Sequence, residues 1–187
     1  MSTIKSKKLQ VGTDASASNN FTIYQPATPD GTLRIGVGNA DSPTEVGQFN
    51  ANGYKPADPV TFKAHQSTDQ SISSGVWTKL TIDTVDFDTC SGYDTSNYRW
   101  TPTVAGYYQI NGKFQIKAGA QMLCTLRKNG SDEEWGMYTT GSISSTVSTV
   151  VYMNGSTDYV ELYGYNVGAQ TTQNPRCILN GHLIQQA

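Results

Sequence analysis

Residues 100–116, Trp-Thr-Pro-Thr-Val-Ala-Gly-Tyr-Tyr-Gln-Ile-Asn-Gly-Lys-Phe-Gln-Ile, constrain the fold more than any other stretch. Pro102 fixes φ and removes a backbone donor, and Gly106 reaches dihedrals closed to other residues, so together they read as a corner. After it, Tyr108, Ile110, Gly112, Phe114 and Ile116 share one parity, and Tyr107, Gln109, Asn111, Lys113 and Gln115 share the other. Period-two alternation with aromatic and β-branched residues predicts a half-buried strand. Trp100, just before the corner, is a candidate core anchor. Gly106 is expected either to take a positive φ or to pack tightly under Trp100.

The rest of the chain offers strands rather than helices. Val60–Gln66 reads as one. Residues 77–85 alternate imperfectly, which leaves their inner face open. Gln121–Arg127 leads into Lys128-Asn129-Gly130, and an Asn-Gly pair between apolar runs is a strong hairpin signal. Trp135–Tyr138, Ser144–Met153, Thr157–Tyr163 and Cys177–Ile184 continue the series. Asn111-Gly112 and Asn180-Gly181 fall inside strands, where glycine marks a bulge or a close approach rather than a turn. The predicted core is Trp77, Phe87, Trp100, Tyr108, Ile110, Phe114, Val160, Leu162 and Leu183.

These segments, in this order, resemble the tumour-necrosis-factor-like jelly roll, a fold also seen in the globular heads of complement's first component. The resemblance rests on Trp100, Pro102, Gly106 and Tyr107-Tyr108 entering an inner strand. It rests also on Asp158-Tyr-Val-Glu-Leu162 and on the closing Leu179-Asn-Gly-His-Leu183, which in that family runs beside the first strand. It covers roughly residues 60–187 and implies an all-β, ten-stranded-type sandwich that assembles as a homotrimer.

Ahead of it, two short pieces, Leu9–Val11 and Phe21–Tyr24, flank a polar stretch of small residues with turn composition. Residues 1–24 are therefore expected to form an arm without a core of its own, disordered or laid along a partner. Lys5, Lys7, Lys8, Leu9, Val11, Phe21 and Ile23 are its anchoring candidates. Residues 25–59 read as a short β connector, opening on the Pro29-Asp30-Gly31 turn and closing on the stiff Lys55-Pro-Ala-Asp-Pro59 linker. Leu33, Ile35 and Val37 share one face there. Three apolar side chains on a lone strand need company, and three identical chains around a threefold axis supply it. Asp30-Gly-Thr-Leu-Arg-Ile-Gly-Val-Gly-Asn39 also resembles the connectors of bacteriophage fibre and head-surface proteins, which implies a virion setting.

Composition narrows the function classes. The 187 residues include 18 Gly and 11 Tyr, and only 15% are charged, which suits an extracellular or virion β protein. A formal charge of −2 lacks the basic footprint of nucleic-acid binding. No run approaches the ~20 apolar residues of a spanning helix, and Lys5, Lys7 and Lys8 are not followed by the apolar stretch of a secretory signal. The three Asn-x-Ser/Thr triplets, at Asn20, Asn129 and Asn154, are then expected to be chance matches. Cys90, Cys124 and Cys177 show neither metal spacing nor an even disulfide framework and read as reduced packing thiols.

No catalytic constellation stands out. His65 and His182 are expected on neighbouring first and last strands, as structural residues or, less simply, as an acid–base or metal pair. Asp83, Asp86 and Asp88, and the Glu133-Glu134 pair, read as solvated loops, with calcium binding or sugar hydrolysis as their sharper alternatives. Tyr93, Tyr138 and Tyr165 are candidates for a receptor surface, since tyrosine gives contact area at small entropic cost. The expectation is a non-enzymatic phage virion protein without cofactor: a trimeric capsid decoration, cement or head fibre docked through its arm to a capsid or other virion protein. A tail-fibre tip that binds a host glycan or protein is the alternative. Beginning at Met1 and spending under sixty residues before the knob favours a short spike.

Overall fold

A computed structural model describes residues 7–56 and 59–187. These are strands and turns throughout, apart from one 3-10 turn at Ala17–Asn19. The chain divides between Pro59 and Val60 into two compact units.

The first unit is a single antiparallel sheet, ordered β1 (Lys8–Val11), β2 (Phe21–Tyr24), β3 (Leu33–Val37), β4 (Thr44–Asn50) and β5 (Gly53–Pro56). The expected boundary after residue 24 is absent. β2 pairs with β3 from Phe21↔Val37 to Tyr24↔Arg34, so the anchoring candidates and the connector stripe lie in one sheet. Residues 8–11 of the arm pair with β2 of their own chain, from Lys8↔Tyr24 to Val11↔Phe21. Lys55 and Pro56, expected in the linker, belong to β5. Lys5 lies outside the described residues, and Lys8 donates from Nζ to the Ala40 carbonyl at 2.6 Å.

The second unit contains β6 (Thr61–His65), β7 (Ser71–Ile72), β8 (Thr78–Lys79), β9 (Thr84–Asp88), β10 (Tyr93–Asp94), β11 (Arg99–Trp100), β12 (Ala105–Lys128), β13 (Ser131–Trp135), β14 (Thr139–Asn154), β15 (Val160–Val167), β16 (Gln170–Thr171) and β17 (Ile178–Gln186). The 24-residue β12 organises them. Its first half lies between β14 and β17, and β6 and β9 follow β17 outward. Its second half lies between β13 and β15, with β11 and β10 beyond. The result is a two-layer sandwich with one strand common to both layers, and β7 pairs with β16 apart from them.

The corner works as its residues suggest. Trp100 is fully buried, stacked on Phe62 with centroids 4.2 Å apart and meeting the edge of Tyr108 at 5.2 Å. The Tyr108 hydroxyl donates to the Val104 carbonyl at 2.7 Å and so ties the strand back to the corner. Tyr108, Ile110, Phe114 and Ile116 are fully buried, as are Val160 and Leu162, while Leu183 packs on the core from its margin. Two expected core residues are not there. Trp77 is half-buried outside the core cluster. Phe87 is 48% exposed, because a bulge between its pairing with Lys63 and that of Val85 with Ala64 reverses the alternation after Val85.

Asn129 and Gly130, both with positive φ, make the predicted tight turn between β12 and β13. Asn111 pairs with Asn180, and Gly181 with Ile110, inside the ladder. There a Cβ on Gly112 would sit 2.5 Å from Leu162, and one on Gly181 2.4 Å from Ile110, so both are close approaches rather than turns or bulges. Gly106 has no positive φ and does not lie under Trp100. Its Cβ would fall 2.4 Å from the Gln185 carbonyl and 2.7 Å from Leu183, against β17. Gly106→Val therefore has to push β17 aside. Overpacking of this kind costs ~1–3 kcal/mol, so a melting temperature lower by roughly 5 °C is expected by calorimetry. An unchanged value would mean that β17 does not close on β12 at this point.

Candidate functional site

The residues of β12 that face away from the core define one exposed surface. Tyr107, Gln109, Asn111 and Lys113 pair with Tyr152, Val150, Ser148 and Thr146 on β14. Asn111 continues through Asn180 on β17 to Lys63 on β6 and Phe87 on β9. The middle is a ladder of amides and a hydroxyl: Gln109 Nε2 donates to Ser148 Oγ at 3.0 Å, Ser148 Oγ to Asn111 Oδ1 at 2.8 Å, and Asn111 Nδ2 to Asn180 Oδ1 at 3.2 Å. At one end the rings of Tyr107 and Tyr152 meet at a tilt of 59° with centroids 5.5 Å apart, both more than 40% exposed, beside Val150, which is 51% exposed. At the other end Asp86 holds Lys63 Nζ and His65 Nδ1, each at 2.9 Å. A flat, amide-rich face with exposed aromatic and β-branched side chains is suited to another protein surface. The parity opposite the core strand carried the signal, Tyr-Gln-Asn rather than alternating charge, but the sequence does not bring β14 and β17 beside it.

A second aromatic group, half-buried except for the exposed Trp135, lies on the other layer. Trp77 meets the edge of Trp135 at 5.6 Å and packs on Tyr165 at 5.3 Å, while the Arg127 guanidinium lies 4.0 Å from the Tyr163 ring centre and 6.0 Å from that of Trp77. Here the structure joins Tyr165, a receptor candidate, to Trp77, a core candidate. Tyr138 is 59% exposed. Tyr93 is turned into the fold instead. Its hydroxyl donates to the Ile82 carbonyl at 2.9 Å, its ring packs on Phe62, and burial pushes its ionisation far above the ordinary tyrosine range.

The titratable candidates are dispersed. β6 and β17 are neighbours, but His65 pairs with Ile178 and His182 with Thr61, so the histidines lie at opposite ends of the ladder. Asp83 accepts from Ser67, and Asp88 from the backbone of Cys90 and Tyr93. Among the described residues no three His, Cys, Asp or Glu side chains are grouped to hold a metal ion. Cys124 and Cys177 are buried, which pushes each thiol up to about 11.

Comparison with solved structures fits this geometry. The globular domain of zebrafish complement 1qA protein superposes over 69% of this chain and 99% of its own, with a TM-score of 0.50 and 14% identity. Murine APRIL covers 67% and 99%, with a TM-score of 0.55 and 10% identity. Eiger TNF from S. frugiperda covers 70% and 95%, with a TM-score of 0.51 and 11% identity. The chain carries a tumour-necrosis-factor/complement-head jelly roll. No protein-family model and no curated protein matches the sequence.

Two measurements check the site chemistry. The Lys63 ammonium, ahead of His65, holds the Asp86 carboxyl below its ordinary range against an opposing desolvation. A depressed carboxylate contributes stability that is present above its unfolded value near 4 and is lost as pH falls through the folded one. Asp86→Asn should thus lose less than about 1 kcal/mol at pH 7, and its denaturation midpoint should converge on the parent's below pH 4. A constant gap across that range would show that the ion pair contributes nothing. In thiol titration of the native chain at pH 8, Cys124 and Cys177 should stay unreactive until denaturant is added.

Proposed function

We propose that the chain is a non-enzymatic, homotrimeric virion surface protein of a bacteriophage, attached through residues 1–59 and displaying the jelly roll. The observation that carries this reading is the division of labour along the chain. One unit is a complete two-layer domain with a large core, and the other is a single sheet that contributes nothing to that core. A sheet without a second layer has to find one outside itself, which suits an element of assembly, set apart from the displayed domain. The likeness of residues 30–39 to phage connectors supplies the virion setting. The amide-rich face of β12, β14 and β17 supplies a surface for the threefold contact between knobs, and three attachment elements on one particle reinforce one another.

Sedimentation equilibrium should give a mass about three times 20.3 kDa at micromolar protein, and boiling in SDS should return the single chain. Virions lacking this protein should bind the intact chain but not a fragment of residues 60–187. A stable monomer in the first experiment, or full decoration by the fragment in the second, would remove the reading.

The aromatic group of Trp77, Trp135 and Tyr165 favours a second reading, a receptor-binding knob whose target is a host glycan. On an array of host surface glycans, the intact chain should then retain a subset that Trp135→Ala releases.

A further inference from the structure

Burial is inverted in the N-terminal sheet. Among the described residues of this unit, the fully buried side chains are polar, Asn20 and Thr22, whereas Leu9, Val11, Phe21, Leu33, Val46, Phe49 and Tyr54 are exposed and Ile23, Ile35 and Val37 are half-buried. The register explains how. Leu9, Ile23, Ile35 and Gly47 form one row across four strands, Val11, Phe21 and Val37 form a second, and Leu33, Phe49 and Tyr54 a third. All three rows lie on the same face. The Tyr54 ring lies over Gly47, where a Cβ would collide with it, and its centre is 5.2 Å from that of Phe49. The intervening rows, Lys8–Tyr24–Arg34–Gln48–Lys55 and Gln10–Thr22–Gly36–Glu45, make the other face polar. Arg34 is neutralised there by Asp30 and Glu45.

We propose that this apolar face is covered by the same face of other copies of the chain, so that Leu9, Phe21, Ile23, Leu33, Ile35 and Phe49 form one shared core and are not the surface that meets the virion. The proposal rests on the trimeric reading above and divides the roles of the N-terminal unit: apolar face inward between copies, polar face and edges outward.

Three observations select copies of the chain over a foreign partner. First, the paired strand residues of the face carry no charge, and interfaces between identical chains are the more apolar class, resembling a domain core cut in half. A foreign partner would be distinguished by charge and hydrogen bonding, which this sheet keeps on its other face. Second, the exposed area suffices. Leu9, Val11, Phe21, Leu33, Phe49 and Tyr54 are each 43–56% exposed. Aromatic side chains bury 150–250 Å² when fully covered, so Phe21, Phe49 and Tyr54 alone leave roughly 300 Å² per copy, and Leu9, Val11 and Leu33 extend it toward the ~800 Å² per partner of a stable interface. Third, β5 ends at Pro56 and β6 begins at Thr61, so a trimer of knobs holds three such sheets on very short tethers. Short tethers give effective concentrations in the millimolar range.

The test uses the full-length chain carrying Phe21→Cys on the apolar face or Lys55→Cys on the polar face, with the parent chain as thiol baseline. Sedimentation first establishes the oligomer. Within it, a water-soluble maleimide should label Phe21→Cys at least about tenfold more slowly than Lys55→Cys, the protection expected of a closed contact. Mild oxidation should link copies through Phe21→Cys and not through Lys55→Cys. If the chain is a trimer but both positions label equally fast, the shared core is wrong while the trimeric reading stands. If Phe21→Cys is open in the free trimer and becomes protected only on virions, the face is an attachment surface and the proposal fails. If the parent is a monomer, both fail together. Should Phe21→Cys alone prevent assembly, Val11→Cys at the edge of the same face replaces it with the same outcomes.

Discussion

The stack of Phe62 on Trp100, with Tyr108 at its edge, is the contact on which the jelly roll depends. It brings together the first strand of the domain, the short strand before the corner and the start of β12, three segments separated in sequence and drawn from both layers. The Tyr108 hydroxyl closes the corner behind it. Removing a ring from such a site costs ~3–5 kcal/mol, a large part of a domain's net stability. The amide-rich face lies on the outside of this arrangement. The face of Tyr107, Gln109 and Asn111 points outward because Tyr108 and Ile110 point in.

The two units solve the problem of a sheet's apolar face differently. In the jelly roll, β12 passes from one layer to the other and each layer covers its companion. In the N-terminal unit five strands make one layer, and their apolar rows have no companion within the sheet. If copies cover those rows, stability there becomes inseparable from association, as it is for obligate oligomers generally.

Much of the jelly roll was legible in sequence because its signals are local. Alternation after Gly106 located the buried parity of β12, the Asn129-Gly130 pair located a hairpin, and the closing apolar-Asn-Gly-His-apolar stretch located β17. What escaped depended on pairing. Phe87 follows the alternation of a core residue, and only the bulge opposite Lys63 turns it outward. Trp77 was placed inside by hydrophobicity alone, whereas its partners Trp135, Tyr165 and Arg127 come from three other strands. Tyr93 has the local sequence of a surface tyrosine, in a polar stretch, but Ile82 and Phe62, distant in sequence, enclose it. The N-terminal arm and the connector were read as separate elements because nothing local states that Phe21 pairs with Val37.

The pairing of β6 with β17 has a consequence for how the molecule comes to exist. The Thr61 hydroxyl donates to the Gly181 carbonyl 120 residues further on, so the layer that carries the amide-rich face is completed by contacts between the two ends of the domain. Closing so long a loop is entropically costly, and such pairings form late. The N-terminal sheet closes through hairpins and is finished earlier in synthesis, with its apolar face open while the jelly roll still waits for its last strand. If copies of the chain cover that face, chains emerging close together on one message would meet first through the sheet that is made first.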